Sequence, residues 1–330
     1  MTMPDAKKIL DFIVIGAQKA GTTSLFEYLR RHPELCLPLD KEAPYFSHDQ
    51  ALTRGWDHYL EKTFGASDPR QKWGTITTHY MVGGVYDRSG TPRDVADGYT
   101  EYTVPLRIRK HLPEARLIAL LRNPVDRAVS HHQMLRMNGQ ESRPFDEAVE
   151  ALLLVESLEQ SRKRPEEQTG YVTWGEYGRI LTAYLEIFPR DQLMVAFTDE
   201  LESEPERLMR RLHSFIGVSP DIVPDNLGTR YRERATARRL SRLNPSTLQS
   251  AVANNVAART VWHELPPRAR LRIERGFAHT AYRVNLWNQK SRATPSRPSP
   301  EMLQRLGEHY ERDAAQLATI LEIDRSAIPW

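Results

Sequence analysis

Asp11-Phe-Ile-Val-Ile-Gly-Ala-Gln-Lys-Ala-Gly-Thr-Thr-Ser-Leu25 constrains the architecture of this chain more than any other stretch. Phe12 to Ile15 form an unbroken apolar run closed by Gly16, the pattern of a strand covered on both faces. From Thr22 the period changes: Leu25, Phe26 and Leu29 recur at helical spacing until Pro33. Between the two, Gly16 and Gly21 permit backbone angles that other residues resist. The amides of residues 18 to 23 then gather at the positive end of a helix dipole, where an anion is stabilised. The spacing Gly16-x4-Gly21-Thr-Thr is that of a phosphate-binding loop, with Thr22 where an ATP-binding loop carries lysine. Lys19 stands instead two residues before Gly21. A tight turn that binds nothing would need the glycines alone. Gln18, Lys19 and Ala20, followed by the hydroxyls of Thr22, Thr23 and Ser24, favour an anionic ligand.

A second apolar run, Ala115-Arg-Leu-Ile-Ala-Leu-Leu121, ends in Arg122 rather than in an acid that would hold magnesium. Cations at both strand ends suit an anionic cofactor bound without a metal. Arg122 has a planar fork that matches phosphate. Pro124 opens the next helix, expected over 124–138. Ser130 lies about 12 Å along from Arg122 by helical rise, so spacing alone does not bring both to one phosphate.

These residues resemble the sulfotransferases that use 3′-phosphoadenosine 5′-phosphosulfate (PAPS), in their heparan-sulfate-type and bacterial branch. Phe12 to Ser24 is similar to the family's 5′-phosphosulfate loop. Leu120-Leu-Arg-Asn-Pro-Val-Asp-Arg-Ala-Val-Ser130 resembles its 3′-phosphate segment, which implies Arg122 and Ser130 as the grip. Lys41-Glu-Ala-Pro-Tyr-Phe46 resembles the Lys-Glu-x-x-x-Phe segment, which implies Glu42 as the base. Gly175-Glu-Tyr177 and the C-terminal end also resemble the family. The resemblance implies Lys19 on the bridging oxygen, loop contacts through Gln18 to Ser24, and a cofactor contact from Tyr177. It further implies a late basic loop, for which Arg230 and Arg234 are candidates among the arginines of 230–242. Those arginines read equally as a solvated helical face. Two departures stand out. The family's Glu-Lys-x-Pro-x-Tyr run is here Thr75-Ile-Thr-Thr-His-Tyr80, with Ile76 in place of the lysine, and the paired cysteines of the late loop are missing because Cys36 is the only cysteine.

Sulfuryl transfer moves a group in line, so positioning and charge stabilisation dominate, as in phosphoryl transfer. The expected donor is PAPS and the expected product adenosine 3′,5′-bisphosphate (PAP), with no metal. The acceptor is a hydroxyl or amine of a small-molecule, carbohydrate or lipid compound, met by Lys41, Tyr45, Phe46, His79 and Tyr80. His79, His131 and His132 rival Glu42 as base, because imidazole titrates near neutrality. Two alternatives stay open at this level: a P-loop kinase or ATPase with a degenerate loop, and a nucleotide-binding module without chemistry.

The 330 residues are 40% hydrophobic with net charge +3, which supports a folded core and no concentrated nucleic-acid footprint. One cysteine excludes an internal disulfide framework. The short apolar run near the start is too short for a signal or a membrane span, and a cytoplasmic bacterial-type enzyme is expected. Strands over 11–16, 115–121 and 192–197, alternating with helices, imply an α/β fold: a doubly wound parallel sheet with flanking helices in a single domain over 1–330. Helices are expected over 22–32, 106–112, 144–158, 174–188, 205–216 and from Leu303 to Leu321. Loops are expected over 82–100, 157–170 and 285–300.

Overall fold

The computed structural model describes residues 9–65, 68–85, 98–229, 231 and 297–330. The chain divides into two compact units, and the larger comprises residues 1–132, 143–233 and 297–330. Of the smaller, residues 133–142 fall among those described; they hold the last helical turn before Gly139.

In the larger unit five strands form one parallel sheet: β1 (Phe12–Gly16), β2 (Leu35–Cys36), β3 (Lys72–Ile76), β4 (Arg116–Leu121) and β5 (Leu193–Phe197). Their order is β2-β3-β1-β4-β5. β1 is central and wholly buried, as its unbroken apolar run requires. It pairs with β3 on one side (Ile13 with Thr75) and with β4 on the other (Ile13 with Leu117). The chain builds outward from β1 in one direction and then in the other. The carboxyl end of β1 is therefore the switch point where ligands bind in such sheets.

Three strands match the sequence pattern, while β2 and β3 escape it. β2 is only two residues long. β3 reads Lys-Trp-Gly-Thr-Ile, and its glycine argues against a strand. Gly74 is there because the Phe12 ring packs over it: a Cβ at 74 would lie 2.2 Å from that ring.

Among the described residues the helices are α1 (Thr22–Leu29), α2 (Asp49–Arg54), α3 (Trp56–Phe64), α4 (Thr103–His111), α5 (Pro124–Met137), α6 (Phe145–Leu152), α7 (Val155–Lys163), α8 (Gly170–Thr173), α9 (Tyr177–Leu185), α10 (Thr198–Ser203), α11 (Pro205–Ile216) and α12 (Pro300–Leu321). Two expectations need correction. The helix expected over 144–158 is two helices, broken at Leu153 and Leu154. The charged run 157–170 is helical through Lys163 rather than a loop. Arg162 holds it by pairing with Glu176 at 2.7 Å, and Ser161 is buried against Thr173 at 2.7 Å. α12 lays Met302, Leu306, Tyr310, Ala314, Leu317 and Leu321 on the body. It approaches α9 so closely that a Cβ at Gly178 would lie 2.3 Å from the Asp313 carbonyl oxygen. Asp313 caps α9 by accepting from the amides of Gly178 and Arg179 at 2.8 and 2.9 Å. Among the described residues no helix is long and apolar enough to cross a membrane.

Candidate active site

The loop after β1 is shaped by its backbone. Lys19 and Gly21 both adopt positive φ, 70° and 93°. The amide of Ala17 donates to the Leu120 carbonyl at 2.7 Å, tying the loop to β4. The Thr198 hydroxyl, on α10, lies 2.7 Å from the carbonyl of Ala20 and 3.0 Å from that of Leu121. No side chain caps α1, and its first turn carries no acid. Its leading amides are thus left to a ligand, flanked by the half-buried Lys19 and Thr23 and by the buried Thr22. These features fit an anionic group. Ser24 already accepts from the amide of Tyr231 at 3.1 Å.

Arg122 follows β4 and sits beside this loop. Its guanidinium donates to the Lys19 carbonyl at 3.3 Å and lies 3.9 Å from Asp126. A cavity of about 640 Å³ adjoins it, lined also by Asn123, Asp126, Thr198 and Asp199. Ser130, on α5, is half-buried. Tyr177 stands behind Arg122. It is buried, and its hydroxyl donates to the Arg122 carbonyl at 2.9 Å. Burial pushes its phenol up to about 12, so it stays a neutral donor that fixes Arg122. Arg230 and Arg234 lie outside the described residues.

Glu42 is exposed but held. Its carboxylate accepts from the Thr78 amide at 3.0 Å and from the Thr78 hydroxyl at 3.4 Å, and it pairs with Lys41. The segment bearing it is pinned from beneath. The hydroxyl oxygen of Tyr80 accepts from the amides of Tyr45 and Phe46 at 2.7 and 3.3 Å. Tyr184 in turn donates to the Tyr80 carbonyl at 2.6 Å. Tyr45, Phe46 and Tyr80 are buried in an aromatic cluster with Trp56 and Tyr59. They anchor the segment that carries Glu42. Ile76, fully buried in β3, is likewise structural.

His79 follows Thr78 directly, and its Nε2 lies 3.5 Å from Oε1 of Glu167. The same oxygen accepts from the Gln18 side chain at 2.8 Å. The nearby His79 holds the Glu167 carboxyl below its ordinary range against the opposing effect of burial, with help from Gln18 and Lys19. Glu167 escapes sequence reading, since nothing in Arg164-Pro-Glu-Glu-Gln168 distinguishes it from Glu166. His131 and His132 lie on α5, away from the surface. Burial, then Arg127, drives His131 well below the usual imidazole value, and its Nδ1 faces Arg127 at 3.4 Å. His132 Nε2 lies 3.2 Å from the Arg143 carbonyl.

A second cavity, about 530 Å³, is lined by Val82, Gly83, Tyr99, Tyr102, Arg162 and Pro165 among others. It borders both segments that meet at Glu167, since Val82 follows His79 by three residues and Pro165 precedes Glu167 by two.

A parallel sheet with an uncapped helix terminus at its switch point, two flanking cations and a fixed carboxylate defines an enzyme site for transferring an anionic group. Residues 10–252 match the family described as Sulfotransferase domain, and the chain belongs to that family. It is therefore a transferase, and its chemistry is sulfuryl transfer; the kinase and non-catalytic readings are set aside. It is 27% identical over 217 residues to the human bifunctional heparan sulfate N-deacetylase/N-sulfotransferase 3, a match covering 63% of this chain and 22% of that protein. The Drosophila melanogaster bifunctional heparan sulfate N-deacetylase/N-sulfotransferase is 25% identical over 217 residues, covering 63% and 20%. The chain thus spans about a fifth of the length of these curated relatives. The crystal structure of a sulfotransferase from Alicyclobacillus acidocaldarius shares the fold, with a TM-score of 0.60 at 22% identity over 97% of this chain and 98% of that one.

Proposed function

We propose that this protein transfers the sulfuryl group of PAPS to a hydroxyl or amine of a small-molecule, carbohydrate or lipid acceptor, with Glu42 as the base. One observation carries the reading. Glu42 accepts from the Thr78 amide, the next residue His79 lies 3.5 Å from Glu167, and Glu167 accepts from Gln18 in the loop beside Lys19. A proton acceptor and an anion-binding loop therefore belong to one constellation.

PAPS supplies an activated sulfuryl group on a phosphate leaving group. Lys19 neutralises negative charge that develops on that phosphate. The amides opening α1, with Thr22 and Thr23, hold its oxygens. Arg122 is the grip for a second phosphate, its backbone held by Tyr177. Glu42 takes the acceptor's proton, while the Thr78 amide keeps its carboxylate oriented.

Purified protein is incubated with sulfur-labelled PAPS and fractionated metabolite extracts in EDTA, and products are identified by mass spectrometry. Label transfer to an acceptor that disappears with Glu42→Gln is expected. No binding of PAPS or PAP by calorimetry, with tight binding of ATP and magnesium, would overturn the reading.

A further inference from the structure

Glu167 has no part in the chemistry described above, yet it touches both halves of the site. Its Oε1 takes the Gln18 amide at 2.8 Å and faces His79 Nε2 at 3.5 Å. The three residues come from separate segments: the loop after β1, the segment after β3, and the connection between α7 and α8. Gln18 Nε2 is thus engaged, while its Oε1 is buried and has no partner among the described residues. Placing a carboxylate next to an anion-binding loop costs electrostatic energy. Two positive or polarisable neighbours, Lys19 and His79, offset that cost. An unused surface glutamate would not be held this way.

We propose that Glu167 is a positioning residue of the transfer reaction, registering His79 on the acceptor side against Gln18 on the donor side. The inference rests on the PAPS reading above and adds a residue to it. Glu167 acts through His79, whose ring it orients over the approach to Glu42. Near-attack geometry is sensitive to shifts of about 1 Å, so loss of this brace lowers the rate of the bound complex more than it weakens donor binding.

The test is a double-mutant cycle on the full chain with PAPS and an acceptor found as above, using Glu167→Ala, His79→Ala and the double variant, with Glu167→Asp as a conservative rescue. Expected is a fall in kcat of roughly 10- to 30-fold for Glu167→Ala, with the double variant within about 3-fold of His79→Ala. Calorimetric affinity for PAP should change less than about 3-fold, and Glu167→Asp should recover part of the rate. In the ligand-free protein, the ring nitrogen NMR signals of His79 should move on Glu167→Gln, a readout independent of turnover. Multiplicative losses in the double variant, or unmoved His79 signals in a folded Glu167→Gln protein, would overturn the proposal. Failure of the wild-type chain to bind PAP would instead overturn the PAPS reading, so the two failures are told apart.

Discussion

The donor half and the acceptor half of this site are built on different principles. On the donor side one contiguous stretch, residues 16 to 24, does most of the work through backbone: positive φ at Lys19 and Gly21, and an uncapped helix terminus. On the acceptor side the carboxylate of Glu42 is exposed, and its geometry comes from groups far away in sequence, the Thr78 amide and the side chains of Tyr80 and Tyr184. A backbone cradle tolerates side-chain change and serves one ligand. A carboxylate aimed by a buried aromatic scaffold leaves the surface around it free to vary with the acceptor. Substitutions in the two halves should therefore fail differently, the first in charge stabilisation and the second in proton transfer.

The largest effect is expected at Glu42. Removing a positioned base typically costs about 10²–10⁴-fold in rate, and Glu42→Gln should do so with PAP affinity unchanged. Initial rates and calorimetry on the same preparation check this; a near-normal rate would move the base elsewhere. Next is Lys19→Ala. Loss of one charge-stabilising donor costs about 3–4 kcal/mol of barrier, and here too PAP should still bind, since the amides opening α1 remain. If PAP binding collapsed as well, the loop would be held by its lysine rather than by its backbone, and the contrast between the halves would break.

The same contrast explains what was legible in sequence. The donor loop, β1, β4 and β5 are local patterns of apolar runs, glycines and cations, so they can be read in order. Lys41 and Glu42 are found by resemblance, while Tyr45 and Phe46 read both as anchors of their segment and as acceptor contacts. An aromatic residue in a loop has the same one-dimensional appearance whether it faces a ligand or packs beneath one. Their burial depends on contacts with residues distant in sequence, such as Tyr184 to Tyr80. Glu167 was invisible because its partners, Gln18 and His79, lie well over fifty residues away and no local period links them. β3 was hidden by Gly74, whose reason is the Phe12 ring on the neighbouring strand.

A pH profile sharpens the comparison only above the point where the protein itself gives way. His213 is fully buried on α11 against His32, ring centroids 4.4 Å apart, and neither of its ring nitrogens has a partner among the described residues. Burial, then the neighbouring imidazole, lowers it to about 4. Above the ordinary histidine value near 6.5 both folded and unfolded chains are neutral at this site, and it contributes nothing. As pH falls below that value, the unfolded chain takes up a proton that the folded one refuses. Stability is lost progressively down to about pH 4, by up to about 3 kcal/mol. Chemical denaturation at pH 7 and pH 5 measures the slope, and His213→Phe should flatten it. A rate loss in that window that His213→Phe abolishes belongs to unfolding and not to the base.

The smallest effects come from two buried tyrosines that act on opposite halves. Tyr80→Phe removes the acceptor of the Tyr45 and Phe46 amides. Leaving buried amides unpaired costs about 1–3 kcal/mol, and Glu42, three residues before Tyr45, loses its aim. The expected signature is a lower kcat with PAP affinity intact. Tyr177→Phe removes only a donor to the Arg122 carbonyl. A net hydrogen bond of about 1 kcal/mol is lost, so PAP should bind roughly 5-fold more weakly, with kcat at saturating donor unchanged. The two variants make the same chemical change, deletion of one phenolic oxygen from a buried ring, at sites on either side of β1. If both altered kcat and affinity alike, the halves would be one mechanical unit; opposite signatures would show that donor binding and proton transfer are supported by separate scaffolds.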